Sequence, residues 1–330
     1  MSTKEEVLHI LQENGTSFLS GQQIADRLFL TRAAVWKAIK ALQKDGCRIE
    51  AVTNRGYRLL VDPVRPNLNR IRQLSAIPKA LEILYFDSIP SSNDQAKLLA
   101  ANSPQKDLIV IAGSQTKGKG RRGRIFYSPD KTGLYISFLL HPQMSFSQAV
   151  RLTCMMAEAL CRAIEEVTGL QPDIKWVNDI FYNGKKIAGI LTEGESSLED
   201  GSLSYVVIGV GLNLYPPYEG FPESLKSVAG SLLDSAYDSN VRDNLYASLI
   251  KHFFSLYEDP NFSAFIDGYR SRSMLIGRYV KLLQPDKERK KGGYDYALVT
   301  GIDENCRLCV KYEDGKEATL SSGEVSVIRY

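Results

Sequence analysis

Histidine, cysteine and long apolar runs are all scarce in this chain, and each scarcity removes a class of protein. Of 330 residues only five are cysteines and three are histidines. The cysteines (Cys47, Cys154, Cys161, Cys306, Cys309) are odd in number and scattered, unlike the disulfide framework of a small secreted fold. Cys306 and Cys309 form a lone C-x-x-C with no second pair and no histidine nearby, so reduced thiols in strands are expected rather than a four-ligand zinc site. With only His9, His141 and His252 to draw on, no Ser-His-Asp or Cys-His catalytic signature is present. Apolar stretches such as Leu134 to Leu140 fall far short of the ~20 residues that span a bilayer. Met1-Ser-Thr-Lys-Glu-Glu6 has no basic region followed by an apolar one, so no signal peptide is expected, and the chain reads as soluble and cytoplasmic, with no membrane partner. Net charge is small too: +3, from 41 basic and 38 acidic residues, which on its face argues against a nucleic-acid binder built on bulk charge.

Apolar residues are present in ordinary amount, and at ~150 residues per domain the length predicts two or more packed domains. The first sixty residues have a helical grammar. Ser2 and Thr3 with Glu5 and Glu6 are capping-box candidates before Val7, Ile10 and Leu11, and Gly15 stops that helix. Ser20 with Gln23 caps a second helix carrying Ile24, Ala25 and Leu28. Thr31 starts a third, with Val35, Ala38, Ile39 and Leu42 on its inner face and Gly46 as its stop. Two β-rich pieces, Ile49 to Val52 and Tyr57 to Leu60, are joined by Thr53-Asn-Arg-Gly56. Three helices and a hairpin make the winged helix-turn-helix plan. In that plan the third helix enters the major groove, so Arg32, Ala33, Trp36, Lys37 and Lys40, with Arg55 at the wing tip, are the expected DNA-binding residues. A basic helix face is ordinarily just solvated, but residues 27 to 58 carry +6, spread over both recognition helix and wing.

Val61-Asp-Pro-Val-Arg-Pro-Asn67 reads as a linker, because its prolines disfavour helix and strand alike. Beyond it, strands (Leu108 to Ala112, Leu134 to Leu140) mix with an amphipathic helix from Ala149 to Val167 that ends at Gly169. Asn240 with Asp243 opens another helix, with Leu245, Leu249, Phe253 and Leu256 on its buried stripe. The last sixty residues hold five short strands, Tyr279 to Leu283, Tyr296 to Ile302, Leu308 to Tyr312, Ala318 to Leu320 and Val325 to Ile328, which suggest a small barrel.

Gly113-Ser-Gln-Thr-Lys-Gly-Lys-Gly120 nearly spells a P-loop but ends in glycine where a magnesium-binding hydroxyl is needed. It runs on into Arg-Arg-Gly-Arg-Ile-Phe-Tyr-Ser-Pro129, which is no helix, so a P-loop NTPase is rejected. What remains is a glycine-rich loop with five cations, Lys117, Lys119, Arg121, Arg122 and Arg124. A solvated turn, a DNA patch and a site for a phosphorylated ligand all fit it. Together the two basic segments leave −8 on the other 290 residues, so the near-neutral total hides two local basic sites on an acidic body. Further on, Ile174 to Tyr182, Asn183-Gly184 and Lys185 to Glu193 form a hairpin signal with a type I′ turn. Tyr205 to Asn213 is a third strand in which Gly209, Gly211 and Asn213 share one face, making a slot where a flat ligand could lie on the sheet.

Ser91-Ser92-Asn93, the run Gly118 to Arg124, Lys175-Trp-Val-Asn-Asp179, Lys186-Ile-Ala-Gly-Ile-Leu191 and Gly209-Val-Gly-Leu-Asn213 stand in the order seen in biotin protein ligases, and the chain resembles that family over essentially its whole length. The flanking segments look like those of the bifunctional bacterial form, which is also a repressor. The resemblance implies an α+β multidomain protein: a winged helix-turn-helix over 1–62, a central mixed β-sheet with helices of class II synthetase-like form over 67–272, and a small SH3-like β-barrel over 275–330. It implies that ATP and biotin give biotinyl-5′-AMP and pyrophosphate, after which a lysine of the biotin carboxyl carrier protein of acetyl-CoA carboxylase takes the biotin. It further implies operator DNA as a partner and a homodimer when biotinyl-5′-AMP is bound.

By the same resemblance, Ser91, Ser92, Asn93 and Gln115 hold biotin, while Lys119, Gly120 and Arg121 belong to the loop over biotin and the acyl phosphate. Lys186 faces the biotin carboxylate and, with Arg121, is the expected catalytic residue. Arg124, Phe126 (stacking on adenine), Asn178, Asp179 and Asn213 are the expected nucleotide contacts, Asp179 also meeting Mg²⁺ through ATP. Two departures stand out: Lys119 replaces an arginine and so lacks its bidentate fork, and Val177 stands where the family usually has proline. A lipoate-protein ligase and a vitamin-sensing DNA-binding regulator without catalysis are the alternatives.

Overall fold

A computed structural model describes residues 3–14, 17–44, 47–61, 65–78, 80–102, 106–145, 149–196, 203–217, 219–234, 241–259, 263–283, 295–321 and 324–327. The expected cap Ser2, the stops Gly15 and Gly46, linker residues 62 to 64, Asn240 and the strand end Ile328 lie outside the described residues.

Helices α1 (Thr3–Glu13), α2 (Gly21–Leu28) and α3 (Arg32–Lys44) precede strands β1 (Arg48–Val52) and β2 (Gly56–Val61). The local chemistry explains their limits. Ser20 and Gln23 complete a capping box on α2, which ends at Phe29 in the left-handed region (φ 54°). The Thr31 hydroxyl accepts from Ala34 N at 3.2 Å to begin α3. Val35, Ala38, Ile39 and Leu42 are buried as expected, in a core drawn only from residues 7 to 59. Leu19 bridges to Tyr57 and extends the two-stranded wing.

Asn67 then caps α4 (Leu68–Ser75), accepting from Arg70 N. Strand β3 (Glu82–Ile89), α5 (Ser92–Asn102), β4 (Leu108–Gln115), β5 (Gly133–Leu140), α6 (Ala149–Thr168), β6 (Asp173–Lys175), β7 (Asp179–Tyr182), β8 (Lys185–Ser196) and β9 (Leu203–Asn213) follow. They are followed by α7 (Glu223–Lys226), α8 (Val241–Tyr257) and α9 (Ile266–Ser271). The strands form a seven-stranded mixed sheet in the order β3-β4-β5-β9-β8-β7-β6, with β3 and β4 parallel and the other pairs antiparallel. Strand β5 is buried along its whole length, as a strand covered on both faces must be. Helices α6 and α8 pack together over one face. Helix α5 covers β4, β5 and β9 on the other.

Residues 174 to 182 do not run as the single strand that the sequence predicts. They fold back at 176 to 178, so that Lys175 pairs with Asp179. Tertiary contacts override β-propensity here: Trp176 Nε1 donates to Cys306 O (2.8 Å) and Tyr269 Oη to Val177 O (3.0 Å). The Trp176–Val177 peptide is cis. The hairpin turn is as expected, with Asn183 (φ 49°) and Gly184 (φ 72°) both left-handed as type I′ requires.

Strands β10 (Tyr279–Leu283), β11 (Asp295–Ile302), β12 (Leu308–Tyr312), β13 (Glu317–Leu320) and β14 (Glu324–Val327) form a five-stranded antiparallel sheet in the order β13-β12-β11-β10-β14. Its inner residues, such as Val280, Val299 and Val310, join the same core as α6 and α8. All five cysteines are free; Cys309 lies in a strand, but Cys306 is buried in a turn at φ 62°, because its carbonyl turns toward the Trp176 indole, so the expectation of strand thiols fails there.

Candidate functional site

The α5 face of the central sheet opens into a cleft of about 430 Å³, a size typical of small-molecule sites. Its floor is a row across three strands: Ser137 on β5 is opposite Gly209 on β9, which is opposite Leu191 on β8. The expected glycine slot is there, but side chains of this chain fill it. A Cβ on Gly209 would lie 2.0 Å from Asn93 Oδ1, and one on Gly211 would lie 2.4 Å from the Phe126 ring. Phe126, expected to stack on adenine, itself lies on Gly211.

The ligand-binding residues expected from sequence all line this cleft: Ser91, Ser92, Asn93, Gln115, Lys119, Gly120, Arg121, Arg124, Phe126, Asn178, Asp179, Lys186 and Asn213. At its inner end they form a buried neutral network. Strand β3 ends at Ile89, and Ser91 opens α5, its carbonyl accepting from Gln95 N. Gln115 Oε1 takes the Ser92 N–H at 2.8 Å and lies 3.0 Å from the Ser92 hydroxyl. Gln115 Nε2 donates to Ser128 Oγ at 2.9 Å. Ser137 Oγ donates to Asn93 Oδ1 at 2.6 Å. Ser91, Ser92 and Asn93 are almost fully buried, which side chains of this polarity tolerate only when hydrogen-bonded.

The outer end is charged. Lys119, Arg121, Arg122, Arg124, Lys175 and Lys186 line it, against Asp179 as the sole acidic lining residue among those described. The basic loop is folded back on itself: Gly120 N donates to Arg124 O (2.7 Å) and Phe126 N to Gly118 O (2.9 Å), around a single 3₁₀ turn at Arg121–Gly123. No P-loop helix follows it. Arg121 Nη1 donates to Asn178 Oδ1 at 3.1 Å, and Asn178 Nδ2 to Ile190 O at 2.8 Å. Lys186 Nζ lies 2.5 Å from Asp179 Oδ1, across the paired strands β7 and β8. Asn213 Nδ2 donates to Gly230 O. Lys119 Nζ pairs with Asp94 at 2.6 Å, and that bond holds its ammonium above the usual lysine range.

Sequence reasoning missed Asp94, Ser128, Ser137 and Glu193. Two of them carried a signal: Ser137 is the one serine in an otherwise apolar and aromatic strand, and Glu193 is in phase with Gly189 and Leu191 on β8. The DNA-binding candidates Arg32, Ala33, Trp36, Lys37, Lys40 and Arg55 are all exposed, on α3 and the wing tip, and do not join the cleft. Lys40 Nζ sits 5.9 Å from the Trp36 ring centroid and Arg55 lies 4.6 Å from that of Phe18.

A neutral recess beside a cationic mouth, on a mixed sheet, is a site suited to a small ligand with an anionic group, in a chain that also carries a helix-turn-helix module. Residues 85–213 match the Biotin/lipoate A/B protein ligase family, 3–58 an HTH domain, and 275–327 the Biotin protein ligase C terminal domain. The chain is 33% identical to the bifunctional ligase/repressor BirA of Bacillus subtilis over 97% of both chains. It is 27% identical to that of Escherichia coli K12, over 96% of this chain and 95% of that one. A structure of the biotin protein ligase from Aquifex aeolicus with biotin and ATP superposes with a TM-score of 0.57 at 25% identity, covering 76% of this chain and 99% of that one. The chain belongs to the bifunctional biotin ligase/repressor family.

Proposed function

We propose that the cleft makes biotinyl-5′-AMP from biotin and ATP and passes the biotinyl group to a lysine of the biotin carboxyl carrier protein of acetyl-CoA carboxylase, and that the N-terminal module represses biotin genes with this adenylate as co-repressor. The observation that carries the reading is the pairing of a neutral, buried hydroxyl and amide cluster with a six-cation mouth in one cleft. A cyclic urea has N–H and C=O groups to match the cluster. The dithiolane of lipoate has none and would leave buried polar groups unpaired, a large penalty. ATP–pyrophosphate exchange tests the choice: exchange with biotin and none with lipoate is expected, and the reverse pattern overturns it.

In the first step the biotin carboxylate oxygen attacks the α-phosphorus and pyrophosphate leaves; in the second a lysine amine attacks the acyl carbon and AMP leaves. Neither step needs a protein nucleophile, so this chain supplies positioning and positive charge. Ser91, Ser92, Asn93 and Gln115 hold the bicyclic head. Lys186 meets the carboxylate and the mixed anhydride, and Lys119, Gly120 and Arg121 close over the acyl phosphate. Arg124, Phe126, Asn178 and Asn213 attend the nucleotide. Among the described residues no group of three or more His, Cys, Asp or Glu could cage a metal, and the cleft has one carboxylate, which fits an Mg²⁺ bound mainly through phosphates. Asp179, with Asn178 beside it, would hold that ion, which would offset phosphate charge.

For the regulatory half, segments 1–62, 67–272 and 275–330 act as domains. Ordering of the basic loop by the adenylate favours a homodimer that spans both operator halves. The setting is the cytoplasm; no described helix is long and apolar enough to cross a membrane. Exchanging Arg32 and Lys40 together for alanine is expected to weaken operator binding, with adenylation unchanged. The slope of log K against log salt should fall by ~1 for each DNA phosphate that is no longer neutralised. A gel-shift titration across salt concentrations checks this, and an unchanged slope excludes both side chains as phosphate partners.

A further inference from the structure

Glu193 is outside the lining of the cleft, touches it through Asn93, and has no part in the chemistry above. Its carboxylate holds two groups. Oε2 accepts from Asn93 Nδ2 at 2.8 Å, and Oε1 pairs with Lys97 Nζ at 2.5 Å. Lys97 is one helical turn beyond Asn93 on α5, so both partners descend on Glu193 from the same helix face. Asn93 Nδ2 also donates to Leu191 O at 3.2 Å, which uses both amide protons.

An ionised carboxylate and a carbonyl only accept, so Glu193 with Leu191 O dictates which way the Asn93 amide faces. Nδ2 turns to Glu193 and Oδ1 to Ser137. Ser137 has one hydroxyl proton, and the 2.6 Å contact with Oδ1 claims it. Ser137 Oγ, 2.8 Å from Ser92 Oγ, therefore has no proton to give Ser92, whose own single proton goes to Gln115 Oε1 at 3.0 Å or to Ser137. Ser92 is left with lone pairs toward the cleft it lines. We infer that Glu193, held by Lys97, is a positioning residue that sets the polarity of the chain Asn93, Ser137, Ser92, so that the recess offers an acceptor to a ligand N–H. The inference rests on the biotin ligase reading, since a cyclic urea brings that N–H.

Glu193→Gln separates this role from packing. With Lys97 retaining the amide oxygen, the new Nε2 faces Asn93 Nδ2, so the Asn93 amide either flips and gives up Leu191 O or stays and loses its partner at 193. In biotin-dependent ATP–pyrophosphate exchange, E193Q is expected to raise the KM for biotin ~10-fold, the size expected when a buried polar group loses its partner. Its kcat and its KM for ATP stay within about twofold. Asn93→Asp alone raises the biotin KM as well, because two carboxylates then face each other. The double variant N93D/E193Q restores the donor–acceptor match at residue 193, though not the bond to Leu191 O, and its KM falls at least about threefold below that of N93D alone. A merely structural Glu193 would show no such rescue. An E193Q KM within about twofold of the unmodified chain, or a double variant no better than N93D, overturns the inference and leaves the ligase reading standing. No biotin-dependent exchange by the unmodified chain overturns both.

Discussion

Lys186→Ala lowers the rate of biotinyl-5′-AMP formation ~10²–10³-fold, the cost of removing one preorganised donor from a site of developing charge. The side chain is one-third exposed, and its ammonium is paired with the quarter-exposed Asp179 carboxylate. Its backbone is anchored independently, Lys186 N donating to Val228 O and Lys186 O accepting from Gly230 N, both at 2.9 Å. The variant therefore keeps its fold, and thermal melting should move little while exchange collapses. Adenylate formation at the unmodified rate would remove Lys186 from the chemistry.

Gly209→Ala abolishes useful biotin binding. The new methyl would stand 2.0 Å from Asn93 Oδ1, 2.8 Å from Cγ and 3.1 Å from Nδ2. Strand β9 cannot retreat, because it is paired on both sides, to Ser137 and to Leu191. Asn93 must leave, giving up its bonds to Ser137, Leu191 and Glu193. At about 1 kcal/mol for each net hydrogen bond, three bonds correspond to a rise of ~10²-fold in the KM for biotin. Gly211→Ala is the control on the same strand face. The nearest atoms to its new methyl all belong to the Phe126 ring, outside the hydrogen-bonded network of the recess, and the effect on biotin is expected to be milder. Calorimetric titration with biotin compares them, and equal affinities would mean that Asn93 does not bear on the ligand.

The two basic segments were legible because charge is local and needs no tertiary contact. The N-terminal helices were legible because the Ser20 to Gln23 box and the Thr31 cap act within one turn. The fold-back at 176 to 178 was not, since it is held by Cys306 and Tyr269, far along the chain. Helix α5 escaped notice as well. Its buried positions Ser92, Asn93, Ala96 and Ala100 are small or polar, so no apolar stripe marks it. The cleft's lining could be read through the motifs that carry the family resemblance. Of the residues that orient that lining, Ser137 and Glu193 were marked only by their place and phase in a strand, and Asp94 became visible only once the helix and the loop were brought together.

The central claim is that one cleft both activates biotin and delivers it to a protein lysine. The direct test is the intact mass of a biotin carboxyl carrier domain after incubation with this chain, ATP, Mg²⁺ and either biotin or lipoate. A single biotinyl addition, located at one lysine, is predicted only where biotin and ATP are both present. A carrier left unmodified, or modified by lipoate and not by biotin, would contradict it.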